Sequence, residues 1–135
     1  MPILTNWYDD EQRVIFQKFE GSWTWDDLGR GQELLHTMAK SVPYDVVMVG
    51  DLSTTSFMPQ GNALSQGRTV FTKFPSNINP IIVVIHSRMI EVFTKIALDM
   101  VPGWRERVKF VRTLDEAKLL VAEAVEANRA GSGTG

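Results

Sequence analysis

The sequence predicts one α/β domain, with a mixed and mostly parallel sheet of about five strands and about four helices packed on it. The run VVMV at residues 46–49 and the run IIVVI at 81–85 are apolar without alternation, which is typical of central parallel strands covered on both faces. A helical pattern follows each run, and repeated strand–helix alternation favours a parallel sheet. Two strand patterns at 3–8 and 12–19, joined by a polar link at 9–11, predict an antiparallel hairpin that makes the sheet mixed.

The first helix is predicted to begin after Thr24, because Asp27 lies three residues on and the pair approximates a capping box. Gly29 and Gly31 inside this helix each cost about 1 kcal/mol relative to alanine. Either a neighbour packs very close to them or the first turns are weak. The residues predicted to face the core are Leu28, Leu35, Met38 and Ala39, with Leu34 beside them.

The remaining elements follow in order. A strand at 46–52 leads to a helical pattern that starts at Pro59, and residues 75–80 are predicted to form a loop. After the strand at 81–85, a third helix ends before Pro102, and a short strand occupies 108–111. Thr113 and Glu116 form a capping box for a last helix, with Leu114, Ala117, Leu120, Val121 and Ala124 predicted to face inward. Residues 1–126 are predicted to form the domain and 127–135 a flexible Gly/Ser tail.

The composition of the chain limits the classes of function that it can have. A chain of 135 residues with 44% hydrophobic residues suits one packed domain, and its net charge of −2 without a basic stripe gives no electrostatic support for nucleic-acid binding. The absence of cysteine removes disulfides and thiolate chemistry and is compatible with a reducing cytosol, so a cytoplasmic location is expected. No signal peptide is recognised, and the apolar runs of about five residues are too short to cross a bilayer.

Three stretches resemble the STAS-like domains related to bacterial anti-sigma-factor antagonists. They are DLS at 51–53 with GNAL opening a helix at 61–64, EG at 20–21 with TWDDL at 24–28, and RVKFV at 107–111 with TLDEA at 113–117. The chain is most similar to the SpoIIAA-like branch, which is grouped with SEC14-type lipid-binding folds, over roughly residues 3–126. The resemblance implies the same α/β fold and a regulatory or binding module.

The stretch at the phosphorylation switch departs from that family. Antagonist-type STAS domains present a phosphorylatable serine in an Asp-Ser-Ser-Gly segment at the start of the second helix. Here the corresponding residues are Met58, Pro59, Gln60 and Gly61, which carry no hydroxyl. The resemblance therefore does not carry the phosphorylation switch to this chain.

A first candidate site lies where the predicted parallel strands end. Ligands of open α/β sheets bind outside the carboxyl ends of the strands, and two predicted helix N-termini and one arginine favour an anion there. The alternative is that these residues only cap helices and satisfy loop backbone. The residues concerned are Asp51, Ser53, Thr54, Thr55, Ser56, His86, Ser87 and Arg88.

The same edge offers a weak case for catalysis. His86 with Asp51 and a serine would be needed for a hydrolase, but no Gly-x-Ser-x-Gly elbow is present. His36 is interpreted as a structural or surface histidine. No catalytic residue, metal site or cofactor is predicted, because two histidines without a spaced carboxylate cluster do not make a zinc site.

Aromatic residues form the second candidate site. Many lie in or beside predicted loops and are too many for so small a core, so some are expected to be exposed and to bind an apolar ligand or a partner. The alternative is that they lie half-buried over strand ends. The residues assigned to this site are Trp23, Trp25, Phe57, Met58 and Trp104, with Trp7 and Tyr8 in similar positions.

The sequence leaves three functions open. The first is a non-catalytic binding or regulatory module for an apolar or anionic small ligand, such as a lipid, or for a protein partner. The second is a small hydrolase or transferase at the strand ends, which needs Asp51, His86 and a hydroxyl within hydrogen-bond reach. The third is a homodimer that buries the tryptophans. A lipid binder would instead require an apolar cavity between the helices and the sheet.

Overall fold

A computed structural model of the protein describes residues 2–55, 59, 61 and 63–133. The strands are β1 (Ile3–Trp7), β2 (Val14–Phe19), β3 (Val46–Asp51), β4 (Ile78–Val84) and β5 (Val108–Val111). The helices are α1 (Trp25–Lys40), α2 (Ala63–Thr72), α3 (Arg88–Leu98), α4 (Trp104–Arg107) and α5 (Leu114–Gly133). The predicted α/β class is confirmed, and the one-turn helix α4 is an addition to the expected element order.

The five strands form one mixed sheet in the order β1-β2-β3-β4-β5. The β1–β2 pair is antiparallel, and the pairs β2–β3, β3–β4 and β4–β5 are parallel. Strand β3 is buried at every position, as its unbroken apolar run predicts for a strand covered on both faces. The hairpin and the parallel centre are thus arranged as predicted.

Two layers of helix cover the sheet unequally. On one face, residues of α1, α3 and α4 pack on Ile15, Met48 and Val83. On the other face, α5 packs alone on Val47, Val49 and Ile82 and on their neighbours. Helix α2 packs against α3 and touches α1. The longer helices α1, α2 and α3 therefore lie on the first face of the sheet, where α2 contacts both α3 and α1.

Helix α1 begins with the predicted capping box. The amide of Asp27 donates to the Thr24 hydroxyl at 3.1 Å, and the Thr24 amide donates to the Asp27 carboxylate at 2.9 Å. Gly31 is the glycine with a close neighbour, because a Cβ there would lie 3.1 Å from Gln17 Nε2 and 3.3 Å from Ile3 Cγ2. A Cβ at Gly29 would meet no described atom within 4 Å.

Several element boundaries differ from the predictions. Residues 78–80, predicted as loop, belong to β4, because the Val46 amide donates to the Asn77 carbonyl and Ile78 is fully buried. The β3–β4 register shifts between Val46 and Met48, which accommodates a proline that cannot donate to the ladder. Leu34 and Leu114 were expected at the core but are 45% and 39% exposed.

Residues 127–133, which the sequence assigned to a flexible tail at 127–135, continue α5 in the structure. Asn128 donates its side-chain amide to the backbone carbonyls of Asp45 and Asn79. Arg129 pairs with Glu126 and with Glu11 on the hairpin link. These contacts hold the end of α5 against the sheet, and residues 134 and 135 lie outside the described part.

Candidate ligand-binding site

An apolar cavity lies between the first face of the sheet and helices α1, α2 and α3. Its enclosed volume is about 80 Å³, and it opens into a cleft that is continuous with solvent. The described lining residues are Gln17, Phe19, Trp23, Trp25, Leu28, Gln32, Met48, Gly50, Leu52, Val70, Phe74, Ile81, Val83, Phe93, Thr94 and Ala97.

Gly50 forms part of the cavity floor in the middle of the sheet. Met48 and Leu52 flank it on the same face of β3, so a larger residue at position 50 would project between them. Among the described atoms, a Cβ at this position would meet Leu52 Cδ1 and Met48 Cε, both at 3.8 Å, an ordinary van der Waals distance. The missing side chain therefore leaves space, and glycine inside a strand is typical of sites that another group approaches closely.

One wall of the cavity is a row of aromatic rings. Phe19 and Trp23 meet edge to face at 5.1 Å and 68°, and Trp23 and Trp25 at 5.4 Å and 87°. Trp23 is held in place by its indole N–H, which donates to the Thr55 hydroxyl at 3.3 Å. Such offset ring contacts add to the stability gained by burial, so this wall is a preformed surface.

The tryptophans are more buried than the sequence predicts. Trp23 and Trp104 are only 6% and 9% exposed, so they are more buried than either alternative, exposure or half-burial, anticipated. The Trp104 indole N–H donates to Asp99 at 3.0 Å, and its ring lies 6.1 Å from that of Phe110. Trp25 lines the cavity with Trp23, whereas Trp104 packs elsewhere in the core. Phe57 and Met58 lie outside the described residues.

Two polar atoms are buried in residues that line the cavity. Gln17 donates from Nε2 to the Thr5 hydroxyl at 3.1 Å, but its Oε1 has no hydrogen-bond partner among the described residues. The indole N–H of Trp25 is also buried and unpaired within the same part of the chain. Since both atoms are covered by their neighbours, the surface that the cavity offers to a ligand is apolar.

The start of α1 fixes the Trp25 side of the cavity through the Thr24 capping box. The hydrogen bond from the Thr24 backbone lowers the pKa of Asp27, and the Thr24 hydroxyl and Arg30 lower it further. Burial opposes them, but the net pKa lies below the ordinary value of 3.8. The ionised carboxylate is therefore the form that holds the helix start.

Residues of the predicted anion site make their hydrogen bonds within the chain. Asp51 is 3% exposed and accepts from the Ser53 amide at 3.0 Å, while Thr54 donates to the Phe19 carbonyl at 3.0 Å. Ser87 is the N-cap of α3, where it accepts from the Ile90 amide at 3.3 Å. These contacts match the capping alternative.

The other residues of the predicted anion site do not form a cluster. His86 and Arg88 are exposed, and no hydrogen bond in the described part of the chain joins His86 to Asp51. The closed constellation that a hydrolase requires is thus not assembled in this conformation. Ser56 lies outside the described residues.

A second and larger groove lies on the second face of the sheet, beside α5. It has a volume of about 490 Å³ and is lined by Tyr8, Phe16, Leu114, Lys118 and Val121, among others. Its position follows from the coverage of this face by one helix. The rings of Tyr8 and Phe16, whose centroids lie 5.9 Å apart, form part of its lining.

Helix α3 carries an exposed apolar side formed by Met89, Val92 and Ile96, which Met100 extends just after the helix ends. These residues lie at spacings of three and four, so they share one side of the helix. A homodimer that uses the tryptophans is disfavoured by the burial of Trp23 and Trp104. The homodimer stays a prediction. A second copy of the chain would have the exposed apolar side of α3 to pack against.

Sequence reasoning missed Gln17, Gly50 and the α2–α3 part of the cavity. Two signals were present in the sequence. Gln17 alternates with Ile15 and Phe19 on the inward side of β2, and Gly50 interrupts the apolar run of β3. Nothing in the sequence indicated that Val70 of α2 and Phe93 of α3 would face the same space.

Comparison of the chain with protein-family models, curated proteins and solved structures gives no match. Over residues 2–55, 59, 61 and 63–133, no group of three or more His, Asp or Glu side chains is arranged to hold a metal ion. None of the helices described there has both the length and the apolar character needed to cross a membrane.

Proposed function

We propose that the protein is a non-catalytic binding module that accepts an apolar small ligand in the cavity above Gly50. The observation that carries this proposal is an apolar cavity over the centre of the sheet, where a core strand has no side chain. Natural cores are close-packed, and space left in them lowers stability. Alanine would fit at Gly50, so the glycine leaves unfilled space at a cost in stability. Ligand binding explains why the chain keeps that space.

The wall chemistry favours an apolar ligand over the anionic ligand considered from the sequence. The anion edge uses Asp51, Thr54 and Ser87 for contacts within the chain, whereas the cavity has free apolar surface. A lipid chain or a small ring is the kind of group that such a surface accepts. Membership of the STAS-like family, with its SpoIIAA-like branch, is proposed on the sequence resemblance alone.

Native mass spectrometry of protein expressed in its own host tests this proposal. We expect a co-purifying mass that is released on denaturation in the wild-type protein. Substitution Gly50→Val fills the floor and should remove that mass, while the thermal midpoint stays equal or rises, because a strand glycine costs about 0.5–1 kcal/mol and the new methyl groups are buried.

The matched control is Gly29→Ala, which changes an exposed glycine of α1 with no described atom within 4 Å of the added Cβ. It should keep the co-purifying mass. If no mass accompanies the wild-type protein, or if Gly50→Val and Gly29→Ala retain it equally, the cavity is not the binding site and the proposal is wrong.

A further inference from the structure

We infer that the ligand of this cavity is an uncharged molecule with a single aromatic ring. The inference rests on the proposed function, since it assigns a chemical class to the ligand of the same site. It follows from three properties of the cavity: the lack of charge around it, the aromatic wall and the volume.

No ionisable side chain is present among the described residues that line the cavity. In addition, the sequence from Ser53 to Gly67, which leads into α2, contains no Asp, Glu, Lys, Arg or His. Moving a charged group out of water without a partner of opposite charge is strongly unfavourable. The cavity therefore selects against carboxylates and ammonium groups and in favour of neutral molecules.

The wall selects for a ring. Phe19, Trp23 and Trp25 already form consecutive edge-to-face contacts, and Phe93 lines the cavity from α3. A further aromatic ring can continue this pattern, with its edge on one ring face and its face toward another edge. Gly50 allows a flat group to lie close to the strand, since no side chain rises from the floor there.

The enclosed volume admits no more than part of one ring, so a ring ligand also occupies the open cleft. A cavity of about 80 Å³ is several times larger than a water molecule needs, and roughly half as large as the 150 Å³ engineered cavity that binds benzene. One ring would thus fill the cavity and the adjoining part of the cleft.

The test compares four probes of similar size with the full-length protein at pH 7: benzyl alcohol, benzoate, benzylammonium and cyclohexylmethanol. Binding is followed by NMR shifts of the Met48 and Ala97 methyl groups. We expect benzyl alcohol to bind about ten-fold or more tightly than either ion, since burial of an unpaired charge exceeds the free energy of a ten-fold change. We expect cyclohexylmethanol to bind several-fold more weakly than benzyl alcohol.

Variant Gly50→Val should lose the NMR shifts that benzyl alcohol causes. Gly50→Ala is a smaller change of the same kind, because it fills less of the cavity. The control Gly29→Ala should retain the shifts. Binding of either ion within about three-fold of benzyl alcohol would overturn the uncharged class. Equal binding of cyclohexylmethanol would overturn the aromatic class. Failure of all four probes would overturn the inference as a whole, while the co-purifying mass decides the proposed function separately.

Discussion

The two glycines of α1 provide a matched pair for measuring how closely this helix packs on the sheet. Alanine is favoured over glycine in a helix interior by about 1 kcal/mol, and that gain applies equally to Gly29→Ala and Gly31→Ala. The added Cβ at Gly29 meets no described atom within 4 Å. We therefore expect Gly29→Ala to raise the free energy of unfolding by about 1 kcal/mol, or the thermal midpoint by about 4 °C.

At Gly31 the same gain is opposed by contacts. The added Cβ would lie 3.1 Å from Gln17 Nε2, which is itself bonded to Thr5, and 3.3 Å from Ile3 Cγ2. Overpacking of this kind costs about 1–3 kcal/mol. We expect Gly31→Ala to be neutral or destabilising by up to about 2 kcal/mol, so the two variants should differ by about 1–3 kcal/mol.

Urea unfolding followed by far-UV circular dichroism measures both variants. The slope of the unfolding free energy against urea concentration should be the same for wild type and both variants. An equal slope means that each protein exposes the same surface on unfolding, so the free energies can be compared directly. The double variant Gly31→Ala with Gln17→Ala should recover part of the difference, because Gln17 Nε2 is the nearest atom to the new methyl group. If Gly31→Ala stabilises the protein as much as Gly29→Ala, the close approach of α1 to β2 is refuted.

Two further predictions concern the start of α1 and the contacts of Arg107 beside β4. The pKa of Asp27 is lowered on folding, so its carboxylate stabilises the native state above about pH 4, and this contribution is lost as pH falls through the lowered pKa. The stability difference between wild type and Asp27→Asn should shrink between about pH 5 and 2 in urea unfolding, and a constant difference would contradict it. Arg107 donates to the backbone carbonyls of Pro75 and Ile78. Replacement by methionine should cost roughly 2–4 kcal/mol, whereas Arg105→Met, at an exposed ion pair with Asp99, should change stability by under about 0.5 kcal/mol, and equal effects would refute the role of Arg107.

The class of fold was predictable because local signals agreed with one another. The unbroken apolar run of β3 indicated a strand covered on both faces, and Thr24 with Asp27 indicated the start of α1. Both are short-range properties of the chain. The start of β4 was not predictable in this way, since Ile78 joins the sheet through pairing with a strand distant in sequence.

The end of α5 shows the same limit. Its Gly/Ser composition predicted a flexible tail, but Asn128 donates to the backbone carbonyls of Asp45 and Asn79, and Arg129 pairs with Glu11 near the start of the chain. Likewise, the sequence left open whether the tryptophans beside predicted loops are exposed or half-buried. Trp23 is nevertheless buried by packing against Phe19 and Trp25.

The sequence by itself determined the α/β class, the central strands, the capping box of α1 and the lack of charge between Ser53 and Gly67. Each of these depends on residue types at near-neighbour spacing. Only the tertiary structure decided that Gly50, the Trp23–Trp25 wall and Phe93 surround one apolar cavity. The physical reason is that a cavity is a property of how the sheet and three helices pack together, and no local pattern specifies the space left between them.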